Sequence, residues 1–190
     1  MFALVNQLRS LLTQPHRILL LAVGLLLLPA LLTHLGLLAF TGDEGIRALV
    51  ALEMDISGNY ITPTMFGEFY YNKPPLYNWI LLAIFELTGR SDELVARLPT
   101  VFFLLAYAAT VWFFVKKHKP ARTSGPSIFN FQFSILIPLA LVTCGRILFW
   151  DSMLALIDTC FSWLMYALFM VIFTQGERER YGRLFVGAYL

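Results

Sequence analysis

Charge is scarce in this sequence. Of 190 residues only 14% are Asp, Glu, Lys or Arg, where a soluble globular domain has about a quarter. Set beside 58% hydrophobic residues and a mean hydropathy of +0.70, that scarcity excludes both a soluble globular domain and a disordered chain. The net charge is only +2, and no basic stretch is interleaved with aromatics, so no nucleic-acid partner is expected. Cysteine is nearly absent. Cys144 and Cys160 both sit in apolar runs, which is neither a disulfide framework nor a metal-ligand spacing, and they read as plain buried residues. A Gly-rich phosphate loop, a nucleophile elbow and a zinc signature are also missing. There is no internal repeat and no low-complexity tail.

What the sequence does have is long apolar runs. A spanning helix needs roughly 20 apolar residues, and four windows qualify: Ile18 to Phe40, Leu94 to Val115, Ile128 to Trp150 and Ser152 to Thr174. The first is too long for a signal-peptide core and lacks a clear small-residue cleavage site, so it is expected to remain as a helix. A fifth run, Pro74 to Leu87, carries Asn78 and Glu86. At about 14 residues and ~1.5 Å rise it reaches only about 21 Å of a ~30 Å hydrocarbon core. Its opening Pro74-Pro75 also suits an interfacial helix better than a mid-bilayer one. A sixth run begins at Leu184 and the sequence stops at Leu190, so this is read as the N-terminal part of a longer protein or as a truncated gene product.

Positive loops stay in the cytoplasm. With four spans and a cytoplasmic N-terminus, the inner side holds Arg9, Arg17, Lys116, Lys117, Lys119, Arg122, Arg178, Arg180 and Arg183, nine of the 14 Lys and Arg. Letting the short run span, with the N-terminus outside, gives the same inner total, and length decides against it. The expectation is an all-α fold: a multispanning helical membrane protein with short amphipathic surface helices in its first outer loop, residues 41–93. That loop holds Trp79 and seven Phe or Tyr residues, which favour the headgroup boundary. The inner loops, Lys116 to Ser127 and Gln175 to Arg183, read as solvated basic turns.

Three clusters could carry chemistry. In the first, Thr41-Gly42-Asp43-Glu44, the spacing of Thr41 and Glu44 is that of a capping box, and Asp43 would favour a helix N-terminus. The alternative is a functional carboxylate; both hold if Glu44 caps while Asp43 faces a site. A helix from about Asp43 to Ser57 follows, stopped by Gly58. Ile46, Leu49, Val50 and Met54 fall on one side, as in a helix lying on a membrane. Glu53 lies within that face, either snorkelling to water or turned to the site. The second cluster is Phe69-Tyr70-Tyr71-Asn72-Lys73-Pro74-Pro75-Leu76-Tyr77. Proline extends the backbone at Lys73, leaving its ammonium either as a phosphate ligand or as a generic interfacial charge. The third is Arg146 to Asp151, with Asp158 seven residues on. A continuous helix would put Asp151 and Asp158 on one face, Asp158 about 10 Å deeper. Ionisable groups in a span usually face a bundle interior or a wet cavity. Arg146 would neutralise one of them, or the pair would merely fix packing.

Taken together, carboxylates from two outer loops, one outer lysine and an aromatic segment suit a substrate that is anionic and lipid-anchored. The order of these motifs resembles the GT-C glycosyltransferases, in the branch holding the dolichyl-phosphate-mannose protein mannosyltransferases and the bacterial lipid A aminoarabinose transferase. The resemblance runs through most of the chain: Asp43-Glu44 after the first span, then Ser57-Gly58-Asn59-Tyr60-Ile61-Thr62-Pro63, then Tyr71-Asn72-Lys73-Pro74-Pro75-Leu76-Tyr77-Asn78-Trp79, then Ala96-Arg97-Leu98-Pro99. It implies a multispanning fold and transfer of a sugar from a polyprenyl-phosphate donor to a lipid or protein acceptor at the outer face of the membrane, bacterial inner membrane being the expected location. Asp43 takes the family's catalytic acidic position, beside Glu44. Lys73 takes the donor-phosphate position, with Arg47, Tyr71 and Arg146 as further substrate-binding residues. Asp151 takes the second acidic position, with Asp158 as its substitute. A divalent metal is allowed but not required, because Asn72 stands where the aminoarabinose transferases have Glu. Arg47 likewise replaces a tyrosine. Family members continue into further spans, a Lys-Gly segment and a soluble outer domain. The competing expectations are a transporter or flippase-like protein, motivated by Asp158 and Arg146, and a non-catalytic membrane subunit.

Overall fold

The computed structural model describes residues 15–117 and 127–176, with side chains over 22–117 and 135–174. Arg9, Lys119, Arg122, Arg178, Arg180, Arg183 and the run from Leu184 lie outside the described residues. The described chain is mostly helical. In order it forms α1 (Pro15–Leu32), α2 (Asp43–Ser57), a two-stranded antiparallel hairpin of β1 (Thr64–Met65) and β2 (Glu68–Phe69), α3 (Leu76–Thr88), α4 (Glu93–Lys117), α5 (Ser127–Val142), α6 (Gly145–Phe149), a 3₁₀ turn (Asp151–Met153) and α7 (Ile157–Gly176). Among the described residues two helices are long and apolar enough to cross a membrane, Glu93–Lys117 and, within α7, Ile157–Thr174, and a third span results if the bent pair Ile135–Val142 and Gly145–Met153 is counted as one.

α4 is the centre of the molecule. It packs against α3, α5 and α7. Its seam with α7 is aromatic: Phe103 meets Trp163 at 5.5 Å between centroids, Tyr107 meets Tyr166 at 5.2 Å, and the Trp163 indole donates to Thr110 Oγ1 at 2.9 Å. The apolar stripe of α2 does not lie free on a surface. Ala48, Ala51 and Met54 are buried in one cluster with Tyr77, Leu81, Leu82 and Phe85 of α3. The stripe expected to meet lipid is thus covered by the short helix that follows it. Both helices stop on glycines in the left-handed region, α2 at the expected Gly58 (φ 66°) and α3 at Gly89 (φ 65°).

Three expected spans differ from the structure. The first window ends as helix at Leu32, not Phe40. Thr33 turns its hydroxyl back onto the Pro29 carbonyl, and looser turns follow at Leu35 and Leu37. The carbonyls so released at Leu35, Leu38 and Ala39 are taken by Arg97. Gly36 permits the close approach, since a Cβ there would sit 3.3 Å from Leu94 Cβ. The third window is bent by 43° between Val142 and Gly145, where Thr143 Oγ1 bonds the Leu139 carbonyl at 2.8 Å. The fourth begins as helix only at Ile157. Leu154 is extended (φ −118°, ψ 140°) because neighbouring groups are captured by distant elements: the Leu154 carbonyl by Thr100 Oγ1 at 2.9 Å, and the Ala155 N–H by Glu44 at 2.9 Å. Asp151 and Asp158 therefore do not share one helix. The first opens the 3₁₀ turn and the second lies in the first turn of α7, which overturns the common face and depth inferred for them.

Candidate functional site

Asp43 and Glu44 open α2, and successive residues of a helix point about 100° apart. That angle sends the two carboxylates to different fates. Glu44 is fully buried. Its carboxylate takes two bonds from the Arg97 guanidinium, at 2.6 and 3.0 Å, the Ala155 N–H, and the Thr41 N–H at 2.6 Å. The last of these is one half of the expected capping box. The other half is absent, because the Thr41 hydroxyl bonds the Ala39 carbonyl and Gly42 stands at the cap. Glu44, expected among the catalytic residues, thus ties α2, α4 and the 154–156 segment together.

Asp43 is 56% exposed and meets Lys73 Nζ at 3.1 Å. The two are 30 residues apart, and both line a cavity of about 250 Å³ with Arg47, Trp150, Leu154 and Asp158. Arg47 lies one helical turn beyond Asp43. It is buried to 1% exposure, and both terminal guanidinium nitrogens lack a hydrogen-bond partner among the described residues. A second cavity, of about 340 Å³, is lined by Arg146, Asp151, Asp158, Thr159 and Ser162. There the exposed Arg146 pairs with Asp151, Nε to Oδ2, at 3.3 Å. Asp158 borders both cavities; Asp151 sits in the second. Tyr71 stands 73% exposed and stacks on Phe69 at 5.8 Å.

Beside the site the support is polar and buried. The Tyr77 hydroxyl meets Thr100 Oγ1 at 3.3 Å. Burial pushes the Tyr77 pKa up to about 12, with the Thr100 hydrogen bond acting the other way. Glu53, left between solvent and site by its spacing, does neither: it accepts from Thr64 Oγ1 at 2.7 Å and from the Phe66 N–H at 2.6 Å, anchoring the hairpin turn. Those bonds, the Thr64 hydroxyl first, hold its carboxyl below the ordinary value of 4.5. Phe66 is held there at φ 55°, a conformation that a non-glycine residue adopts only when its neighbours fix it.

Arg97 and Thr100 were missed as supports. The available signal was a charge at the start of an otherwise apolar window, which calls for a buried partner. Among the described residues no three of His, Cys, Asp and Glu gather as a set that could hold a metal. No protein-family model, curated protein or solved structure matches this chain.

Proposed function

We propose that the chain forms part of a GT-C type glycosyltransferase, moving a sugar from a polyprenyl-phosphate donor to a lipid or protein acceptor at the outer face of a membrane. The observation that carries the reading is the meeting of Asp43 with Lys73 at 3.1 Å on the wall of one cavity. These are the two residues that the motif resemblance singles out for base and phosphate ligand. The cavity lies where α2 and α7 begin. α4 and α7, the candidate spans, give the chain its membrane-crossing character, and a multi-pass bacterial inner-membrane protein with a cytoplasmic N-terminus fits this arrangement. Lys116 and Lys117 at the far end of α4 then lie on the positive, cytoplasmic side.

In this mechanism Asp43 removes the proton from the acceptor hydroxyl as its oxygen attacks the sugar carbon. Lys73 neutralises the charge that gathers on the departing phosphate, and the sugar inverts its configuration. A placed base contributes about 10²–10⁴-fold, and a cation fixed at the leaving group acts without reorganisation. The second acidic role passes from Asp151 to Asp158, because only Asp158 of the two lines the cavity that holds Asp43. The test is sugar transfer from a polyprenyl-phosphate donor by the protein in nanodiscs. Asp43→Asn should abolish transfer while leaving membrane insertion intact; near-normal turnover rejects the role.

A further inference from the structure

α4 presents two different faces. Thr100, Phe103 and Tyr107 meet the 154–156 segment and α7. Leu98, Phe102 and Leu105 recur at helical spacing on the other side. There the structure leaves a cavity of about 620 Å³, walled also by Leu32 of α1 and Ile84 of α3. It shares no lining residue with either polar cavity. Among its described lining residues only Thr88 has a polar side chain, and that hydroxyl already bonds the Ile84 carbonyl at 2.7 Å. Water finds no partner in such a space, and leaving it empty forfeits dispersion contacts along every wall. Its filling is therefore apolar.

The surroundings say which apolar group is at hand. The rim runs into exposed apolar surface at Leu25 and Leu26 on α1, Leu87 on α3 and Phe102 on α4, which face hydrocarbon when α4 crosses a membrane. Leu98 to Leu105 lie ~8 to ~18 Å along α4 from Glu93 at ~1.5 Å per residue, about the depth of one leaflet in a ~30 Å core. At the Thr88 end a cation stands ready. The Thr88 hydroxyl reaches the Arg90 carbonyl at 3.2 Å, and the Arg90 side chain is 62% exposed in the turn before α4. Arg90 gives Nε and Nη2 to Asp92, while its Nη1 has no hydrogen-bond partner among the described residues.

We propose that this groove binds one acyl chain of a bilayer phospholipid, with the lipid phosphate against Arg90. The chain completes the packing of three helices that do not close on one another. Burial of apolar surface gives no net gain inside a bilayer, so retention comes from shape and close contact. The occupant is a lipid separate from any donor held at Asp43 and Lys73, because the groove lies on the face of α4 turned away from the 154–156 segment that borders that cavity. The inference rests on α4 crossing a membrane, which is part of the reading above, and not on sugar transfer.

The experiment counts phosphatidylcholine retained by the full chain after transfer from nanodiscs to detergent, using native mass spectrometry, and follows the Tm as phosphatidylcholine is added back. The parent protein should keep one phospholipid, and added phosphatidylcholine should raise its Tm while glycerophosphocholine, which has no chains, should not. Ile84→Trp should lose both the retained lipid and the Tm response, because the indole fills the groove. Leu25→Trp, on exposed surface outside it, should keep both. Should Ile84→Trp not assemble, Leu98→Trp fills the same groove from α4 and should behave alike. Arg90→Gln should lower retention without abolishing it, since the chain contacts remain. A parent protein that inserts but retains no phospholipid, filled variants that retain it like the parent, or displacement of the lipid by equimolar polyprenyl phosphate overturns the site. A chain that does not insert overturns the membrane reading and the groove together. Retention that responds to Ile84→Trp in a protein without sugar transfer leaves the groove standing and counts against the enzymatic reading.

Discussion

Asp43 and Glu44 are adjacent in sequence and opposite in circumstance. Glu44 has no exposure and accepts four hydrogen bonds from three segments; Asp43 is more than half exposed and holds a single lysine. The buried carboxylate is committed to structure because moving it would leave Arg97 without its counter-ion. The exposed one is free to exchange partners because water and a ligand can both replace Lys73. One turn of one helix thus supplies a rigid anchor and an available carboxylate, and the anchor fixes where the available group stands.

The sharpest way to break this contrast is at Arg97. Replacing it with Ala strands the Glu44 carboxylate and the carbonyls of Leu35, Leu38 and Ala39, and should destabilise the protein by about 3–5 kcal/mol, read by equilibrium unfolding in detergent. An unchanged stability would mean that Glu44 is no more committed than Asp43. Asp43→Asn is the counterpart. Its effect on stability should stay within about 1 kcal/mol, while transfer falls by about 10²–10⁴-fold; a large loss of stability would erase the distinction between the two carboxylates.

Two smaller effects sharpen it. Thr100→Val removes the donor to the Leu154 carbonyl and the neighbour of the Tyr77 hydroxyl, and should destabilise by about 1–3 kcal/mol. Because Leu154 lines the cavity, binding of a phosphate ligand should weaken with it, measured by titration. The smallest effect concerns Glu53, a third carboxylate of α2. Its folded pKa lies below 4.5, so its contribution to the hairpin is fully present above that pH and is lost as pH falls through the lowered value. Hydrogen exchange at the Phe66 and Gly67 amides should therefore quicken on acidification, and Glu53→Gln should remove the pH step.

Parts of this arrangement were legible in the sequence. The limits of α2 followed from an acidic start, a four-residue apolar spacing and Gly58. The apolar run through α4 was long enough to identify a span on length alone. Asp43 and Lys73 were recognised as a pair of interest from motif order. Other parts were not legible, because they depend on groups far away in sequence. Nothing near Leu154 announces an extended segment; its conformation is set by Thr100 and Glu44. Nothing near Phe40 announces that the first helix stops early; the released carbonyls are stabilised by Arg97 in another helix. The bend after Val142 is equally invisible to an apolar average.

Sequence by itself determined that the chain is helical, apolar enough to cross a membrane, and supplied with a few charges at particular stations. Those properties follow from local composition and from the length of hydrophobic runs. Tertiary structure alone decided that Glu44 is an anchor, that Asp158 rather than Asp151 shares a cavity with Asp43, and that Arg47 is buried with no hydrogen-bond partner for its terminal nitrogens among the described residues. Such outcomes depend on which distant group reaches a charge first, because a charge withdrawn from water must find its partner wherever the fold puts one.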